Sequence, residues 1–383
     1  MRKTRKAAAV LTAVAMAAVS AVPAMADEIK DLYDYELQAR EIETWNVLYS
    51  QQATDLQVLT NLYDGLLESD EYGKLVPAVA ESWETEDNGV TWTFHLRQGV
   101  KWVDQNGNEK GEVTAQDFLT GLEWVLNFHK NDATNTSMPM EMIVGAEDYY
   151  NMTSELDADA GLALTAESPE FADTVGIKAI DDYTLEVKTT VRVSFLDELL
   201  AFPPFYPINQ KFAEKQGSKY GKSAKTILGN GAFTMTNWEP GSVAEFKKNK
   251  SYYDQKHVKL DKLVMKLVQE PKVAAQSFEA GETDYAPINS DLVDKYKDDE
   301  SFKQVYDGFL FYISINFKNT DLANINVRKA ISLAINRKDL CENVLKDGSQ
   351  VAEGFIPSGL ATSPDGIDFR KDAGNFTSYD KKK

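Results

Sequence analysis

The stretch Ala80 to Trp102, AESWETEDNGVTWTFHLRQGVKW, leaves the backbone little choice. Asn88 and Gly89 both tolerate positive φ, and side by side they are the strongest short hairpin signal in the chain. After them Val90, Trp92, Phe94 and Leu96 alternate with Thr91, Thr93, His95 and Arg97. A period of two is that of a strand with one face buried. Gln98-Gly99 turns the chain again before Val100 and Trp102 resume. The pattern predicts a hairpin that turns Trp92, Phe94 and Leu96 into a core, and it contains no evident catalytic group.

The rest of the chain mixes helical and strand periods. Leu56, Leu59, Tyr63 and Leu66 recur at helical spacing, with Thr54 and Asp55 available as caps. Thr114 and Asp117 form a capping pair for a helix carrying Phe118, Leu122, Val125 and Leu126. Asn131 to Gly176 is irregular and acidic, with one helix expected near Gly145 to Asn151. Val175 to Val187 reads as a hairpin turning at Asp181-Asp182, and Phe202 to Pro207 as a rigid extended connector. Gly229 to Lys247 is a second β region, Leu260 to Val268 a strand and Pro271 to Ala280 a helix. Phe309 to Phe317 alternates as a strand, Asn326 caps a helix with Val327, Ala330, Ile331, Ala334 and Ile335 on one stripe, and Asn336 caps another. Such mixing is that of an α/β or α+β protein.

The first residues place the chain. Arg2, Lys3, Arg5 and Lys6 precede an Ala-rich apolar run broken at Pro23, and Ala24-Met25-Ala26 supplies small residues before Asp27. This is a secretory signal peptide with cleavage after Ala26. The exported chain is more acidic than the formal net charge of −19, because the signal carries only cations. That balance argues against nucleic acid and anionic membrane surfaces as partners. Cys341 is the only cysteine, so no internal disulfide framework exists, and no cysteine stands at the cleavage point to accept a lipid anchor.

Catalytic constellations are poorly supported. His95, His129 and His257 are the only histidines, and one cysteine offers no partner set for zinc. There is no G-x-S-x-G, and Ser378 to Lys381 matches S-x-x-K only by chance in a polar tail. Gly229-Asn230-Gly231 begins like a phosphate loop but lacks the third glycine and a lysine–serine pair. Paired carboxylates arise by chance among 60 acidic residues. No catalytic residue, metal ligand or cofactor is assigned.

Ordered blocks carry a resemblance instead. Pro77 to Glu84 followed by Asp87 to Trp102, then Val113 to Phe118, Val175 to Val187, Gly229 to Phe233, Asn249 to Asp254 (NKSYYD), Glu279 to Asp284 and Val327 to Arg337 occur in family order. The chain resembles the peptide-binding, family 5 extracellular solute-binding proteins of ABC importers. The resemblance implies an α/β, periplasmic-binding-protein-like, two-lobed fold (class II type) with mixed sheets flanked by helices. It places the signal peptide at 1–26, a first lobe of two subdomains at 27–283, and the start of a second lobe at 284–383. Family members run longer, so the second lobe is expected to be incomplete, and the family's acidic anchor for a peptide ammonium is not carried over.

Function follows from the resemblance as an expectation. The protein is a non-enzymatic, monomeric substrate-binding component, exported to the periplasm or cell surface. It captures oligopeptides between two lobes for ABC permease subunits. The same fold also serves nickel chelates, haem or oligosaccharides, and a secreted hydrolase is the remaining alternative. Ligand-contacting candidates are Trp45 and Asn46 near a strand end, Ser137 and Met138 in a loop, and Tyr285, Ala286 and Pro287 where the chain crosses to the second lobe.

Overall fold

The computed structural model of the chain describes residues 31–34, 41–42, 44–50, 52–70, 74–86, 89–131, 135–306, 308–363, 365–380 and 382. The signal peptide and Asn88 of the hairpin signal lie outside these described residues. The chain divides into a first unit ending at Ala286 and a second from Pro287 to Lys383.

Twelve strands are described, all in the first unit: β1 (Asp31–Asp34), β2 (Leu67–Ser69), β3 (Leu75–Pro77), β4 (Ala80–Thr85), β5 (Thr91–Leu96), β6 (Lys101–Val103), β7 (Glu109–Glu112), β8 (Ile177–Asp181), β9 (Thr184–Lys188), β10 (Phe233–Glu239), β11 (Val243–Lys248) and β12 (Lys262–Lys266). One four-stranded sheet has the order β4-β5-β9-β8, and the other β1-β12-β11-β10. The first is antiparallel throughout, and in the second only β1 and β12 run parallel. β2-β3 and β6-β7 are two-stranded ribbons.

The alternation of β5 is realised as written. Trp92, Phe94 and Leu96 are buried while Thr91, Thr93 and His95 are half-buried. Thr85 pairs with Trp92 across the hairpin, and Gly89 takes φ +95°. The helix Ala115–Leu126 packs against the same sheet and buries Phe118, Leu122, Val125 and Leu126. Its capping box is present: Asp117 Oδ2 accepts from the Thr114 N–H at 2.8 Å and from Trp102 Nε1 at 3.1 Å. One carboxylate thereby ties a helix start to β6.

Four expectations change. The helix predicted over Leu56 to Leu66 stops early, spanning Ala53–Leu59, and its cap is Gln52 with no side-chain cap bond. Tertiary bonds replace helical ones there: the Leu62 carbonyl accepts from the N–H groups of Asn230 (3.1 Å) and Gly231 (2.9 Å). Asp55 accepts instead from Ser50 Oγ at 2.9 Å. Phe202 to Pro207 is not fully extended, because Pro203–Phe205 forms a 3₁₀ turn, for which proline is preset at the first position. The helix near Gly145 runs Ala146–Glu155, and three short helices, Ser137–Met142, Ala158–Ala163 and Pro169–Ala172, were hidden in the irregular acidic stretch, the first of them taking Ser137 and Met138 out of the expected loop.

The fourth change concerns the second unit. Among the described residues Phe309 to Phe317 forms no strand, since alternation alone does not fix strand pairing. The helix Ile325–Ala334 does form, with Asn324 rather than Asn326 at its cap, and Asn336 caps Arg337–Asp339 through the Asp339 N–H. Among the described residues no helix is long and apolar enough to cross a membrane.

Candidate functional site

Two of the sequence-predicted pairs converge in the first unit. Trp45 is fully buried, its ring edge-on to Trp238 (5.6 Å between centroids, 77°) and near Phe246 (5.9 Å, 61°) on β10 and β11. Its N–H donates to the Gly221 carbonyl (2.8 Å), and its carbonyl accepts from the Tyr63 hydroxyl (3.0 Å). Its indole Nε1 is enclosed and has no partner. Asn46 is buried too; its Oδ1 accepts from the Leu48 N–H at 3.2 Å, a local turn bond. Gly221 has φ +74°, and a Cβ there would stand 2.7 Å from the Asn46 nitrogen, so this close approach needs glycine. Trp45 therefore offers no ring face to a ligand in this structure, and its placement is that of a core anchor for the segment that follows.

That segment is joined to the Ser137 loop by one side chain that the sequence did not flag. Asn135 Nδ2 donates to the carbonyls of Leu48 (2.8 Å) and Ser50 (2.9 Å), and Asn135 itself has φ +55°. Asparagine is one of the few residues that adopts this conformation readily. The Tyr49 hydroxyl also donates to the Lys130 carbonyl. Ser137 then starts a short helix, Ser137–Met142, with its side chain exposed, and Met138 is half-buried against the core. Tyr285 is 44% exposed, and Ala286 and Pro287 are half-buried on the two sides of the unit boundary.

A second buried constellation also escaped the sequence reading. Asp64 exchanges two hydrogen bonds with Asn230: its N–H donates to Oδ1 (3.1 Å), and its carbonyl accepts from Nδ2 (2.9 Å). Asp64 Oδ2 accepts from the Tyr253 hydroxyl at 3.0 Å, and the Tyr252 and Tyr253 rings lie 4.5 Å apart. The Arg97 guanidinium sits 5.1 Å from the Tyr253 ring centroid, at cation–π distance. Burial pushes the Asp64 carboxyl up to about 7, Glu68 adds to the rise, and the two tyrosine hydroxyls oppose it. Gly231 explains the G-N-G block: a Cβ there would stand 2.6 Å from the Leu62 carbonyl carbon. The block is a packing joint, and NKSYYD supplies the tyrosines on the buried acid.

The histidines stay peripheral. His95 Nε2 is 3.4 Å from Glu84, His257 Nδ1 is 2.6 Å from Asp254, and His129 Nε2 meets the Leu156 carbonyl at 3.0 Å. Among the described residues no group of three or more His, Cys, Asp or Glu side chains could hold a metal ion. The geometry offers hydrogen-bonding loops and apolar supports, which suit non-covalent binding.

The model of the bacterial extracellular solute-binding proteins, family 5, matches residues 74–383. The chain belongs to this family. The oligopeptide-binding protein AmiA of Streptococcus pneumoniae serotype 4 is 31% identical over 372 positions, covering 89% of this chain and 53% of that protein. The dipeptide-binding protein DppE of Bacillus subtilis is 28% identical, covering 85% and 56%. Among solved structures, the substrate-binding domain of an oligopeptide ABC transporter from Bacillus anthracis superposes with a TM-score of 0.74 at 33% identity, over 92% of this chain and 64% of that one. OppA of Listeria monocytogenes bound to peptide gives 0.74 at 28% identity, over 93% and 66%. The α/β binding-protein fold of the family is therefore this chain's fold, and the chain spans about half the length of the curated relatives it matches.

Proposed function

We propose that this family 5 protein is the exported substrate-binding component of an ABC importer, taking oligopeptides in the family's two-lobed mode and handing them to permease subunits. The observation that carries the reading is the likeness to a peptide-bound OppA over 93% of the chain. Relatives named for oligopeptide and dipeptide binding support the ligand class.

The physics of such a binder needs no bond-making group. Backbone hydrogen bonds in the manner of strand addition give affinity that is indifferent to peptide sequence. Hydrated pockets tolerate varied side chains, because a bridging water is nearly as good as a direct contact. Closure about a hinge then marks the loaded state for the permease. Ser137, Met138, Tyr285, Ala286 and Pro287 are the proposed contact residues. Trp45 and Asn46 act from behind, holding the segment that Asn135 joins to Ser137. The protein works outside the cytoplasm as a monomer, with no nucleic-acid partner and no catalysis.

Thermal-shift titration of the exported chain with random tri- to hexapeptides tests this. Ligand at a hundredfold excess over Kd adds about 2.7 kcal/mol of stability. The expected result is a rise in Tm with every peptide recovered intact by mass spectrometry. Cleaved peptides would make the protein a hydrolase. No shift with peptides, but a shift with oligosaccharides, haem or nickel chelates, would replace the ligand class.

A further inference from the structure

The helix Ser137–Met142 carries soft side chains on a backbone fixed at both ends. Three of the chain's nine methionines stand within it, at Met138, Met140 and Met142. Just before it, Asn135 is tied to the Leu48 and Ser50 carbonyls. At its end the Thr190 N–H donates to the Met142 carbonyl at 2.9 Å, and Thr190 Oγ1 donates to the Glu141 carbonyl at 3.0 Å. Ile143 then pairs with Thr189 in an antiparallel bridge. Two separate parts of the first unit therefore hold this short backbone in place.

Burial follows the helical wheel, on which successive residues turn by about 100°. Pro139 is buried and marks the core side, while Ser137 and Glu141 are exposed and mark the opposite side. Met138, Met140 and Met142 are all half-buried, and each packs against the core. Four residues apart, Met138 and Met142 share one shoulder of the helix, and Met140 lies on the other. Each thioether thus has one side on the core and one on solvent. An unbranched chain with three rotatable bonds re-packs at low cost, which suits a surface that must fit varied apolar groups. Fixing the backbone confines that adaptability to the side chains and keeps the site in place.

We propose that Met138 and Met142 form an adaptable subsite for one apolar side chain of the bound peptide, so that the protein selects peptides carrying a residue such as Leu or Phe at one position. The proposal rests on the peptide-binding reading, in which Ser137 and Met138 are contact residues, and deepens it. Backbone bonds hold the peptide whatever its sequence. The methionine shoulder reads one side chain, by removing its apolar surface from water, and sulfur–ring contact extends the acceptance to Phe.

The test titrates the exported chain calorimetrically with pentaalanine and with its single Leu, Phe and Gln variants at each position in turn. At one position Leu and Phe should each bind roughly tenfold or more tighter than Ala, with a more negative heat-capacity change, while Gln should not. Met138→Gln together with Met142→Gln should bring that preference to within about twofold, and Met140→Gln on the other shoulder should leave it in place. Met138→Leu together with Met142→Leu stays apolar at similar volume but is stiffer, so it should keep Leu and lose Phe by roughly tenfold. This leucine pair decides the matter if the glutamine pair shows no cooperative thermal transition. With peptide binding intact, the proposal is overturned if no position prefers an apolar side chain, if the preference survives in a folded glutamine pair, or if the leucine pair takes Leu and Phe as the parent does. Binding of none of these peptides would overturn the peptide reading and this one together.

Discussion

The two units use the same kinds of residue to opposite effect. In the first, Trp45, Trp102, Tyr63, Phe94, Phe118 and Phe246 are fully enclosed. In the second, Phe311, Phe355 and Phe376 face outward, and no described residue is buried. Local helix signals succeed in both, as the caps at Thr114 and Asn336 show. Among the described residues strands form only in the first, where each finds a neighbour. The difference teaches that a cap is a short-range fact, whereas a buried strand is a property of its partners.

The sharpest way to break this comparison is to remove one large ring from each unit. Trp92→Ala should destabilise the first unit by about 3–5 kcal/mol in denaturant unfolding, the range for emptying a core aromatic site. If stability holds while peptide affinity is lost, β5 belongs to the binding site and the assignment to core is wrong.

A second effect concerns pH. Asp64 has a folded-state value of about 7 against an ordinary 3.8. The folded protein therefore binds its proton more tightly than the unfolded one. Stability should fall as pH rises from about 4 to about 7, by on the order of 2–4 kcal/mol, and level off above. Asp64→Asn should flatten most of that slope. A smaller slope should survive, because burial also raises Asp117 to about 6. An unchanged slope in Asp64→Asn would show that the buried acid is not the source.

Asp117→Ala should cost about 1–2 kcal/mol, since it removes the capping box and leaves the Trp102 N–H without its acceptor. The change is checked by urea midpoint and should leave the pH slope from Asp64 in place. The smallest effect is expected in the second unit. Phe311→Ala should change stability by no more than about 0.5 kcal/mol, because an exposed ring has little burial to lose. A cost near that of Trp92→Ala would erase the contrast between the units.

Much of the fold was legible. The period of two in β5, the Thr114–Asp117 pair and the Val175 to Val187 hairpin are each written within about a dozen residues, and each formed. The early end of the helix Ala53–Leu59 was not legible, because its cause, the G-N-G block on Leu62, lies far along the chain. The candidate site was half visible. Trp45 stood out as an aromatic near a strand end, but its enclosure by Trp238 and Phe246 depends on two later strands. Asn135 carried only a weak signal, an asparagine in a polar loop, and its two bonds to the 48–50 backbone appear only once the loop is placed.

By itself, then, the sequence determined the alternation of β5, the cap at Thr114, the Val175 to Val187 hairpin and, through its ordered blocks, the family. Those features rest on backbone sterics and on bonds between residues close in the chain. Tertiary structure alone decided which aromatic rings are core, that Asp64 is buried beneath Tyr253, and that Phe311 and its neighbours are uncovered. Burial is a sum over partners from distant segments, and no local pattern carries it.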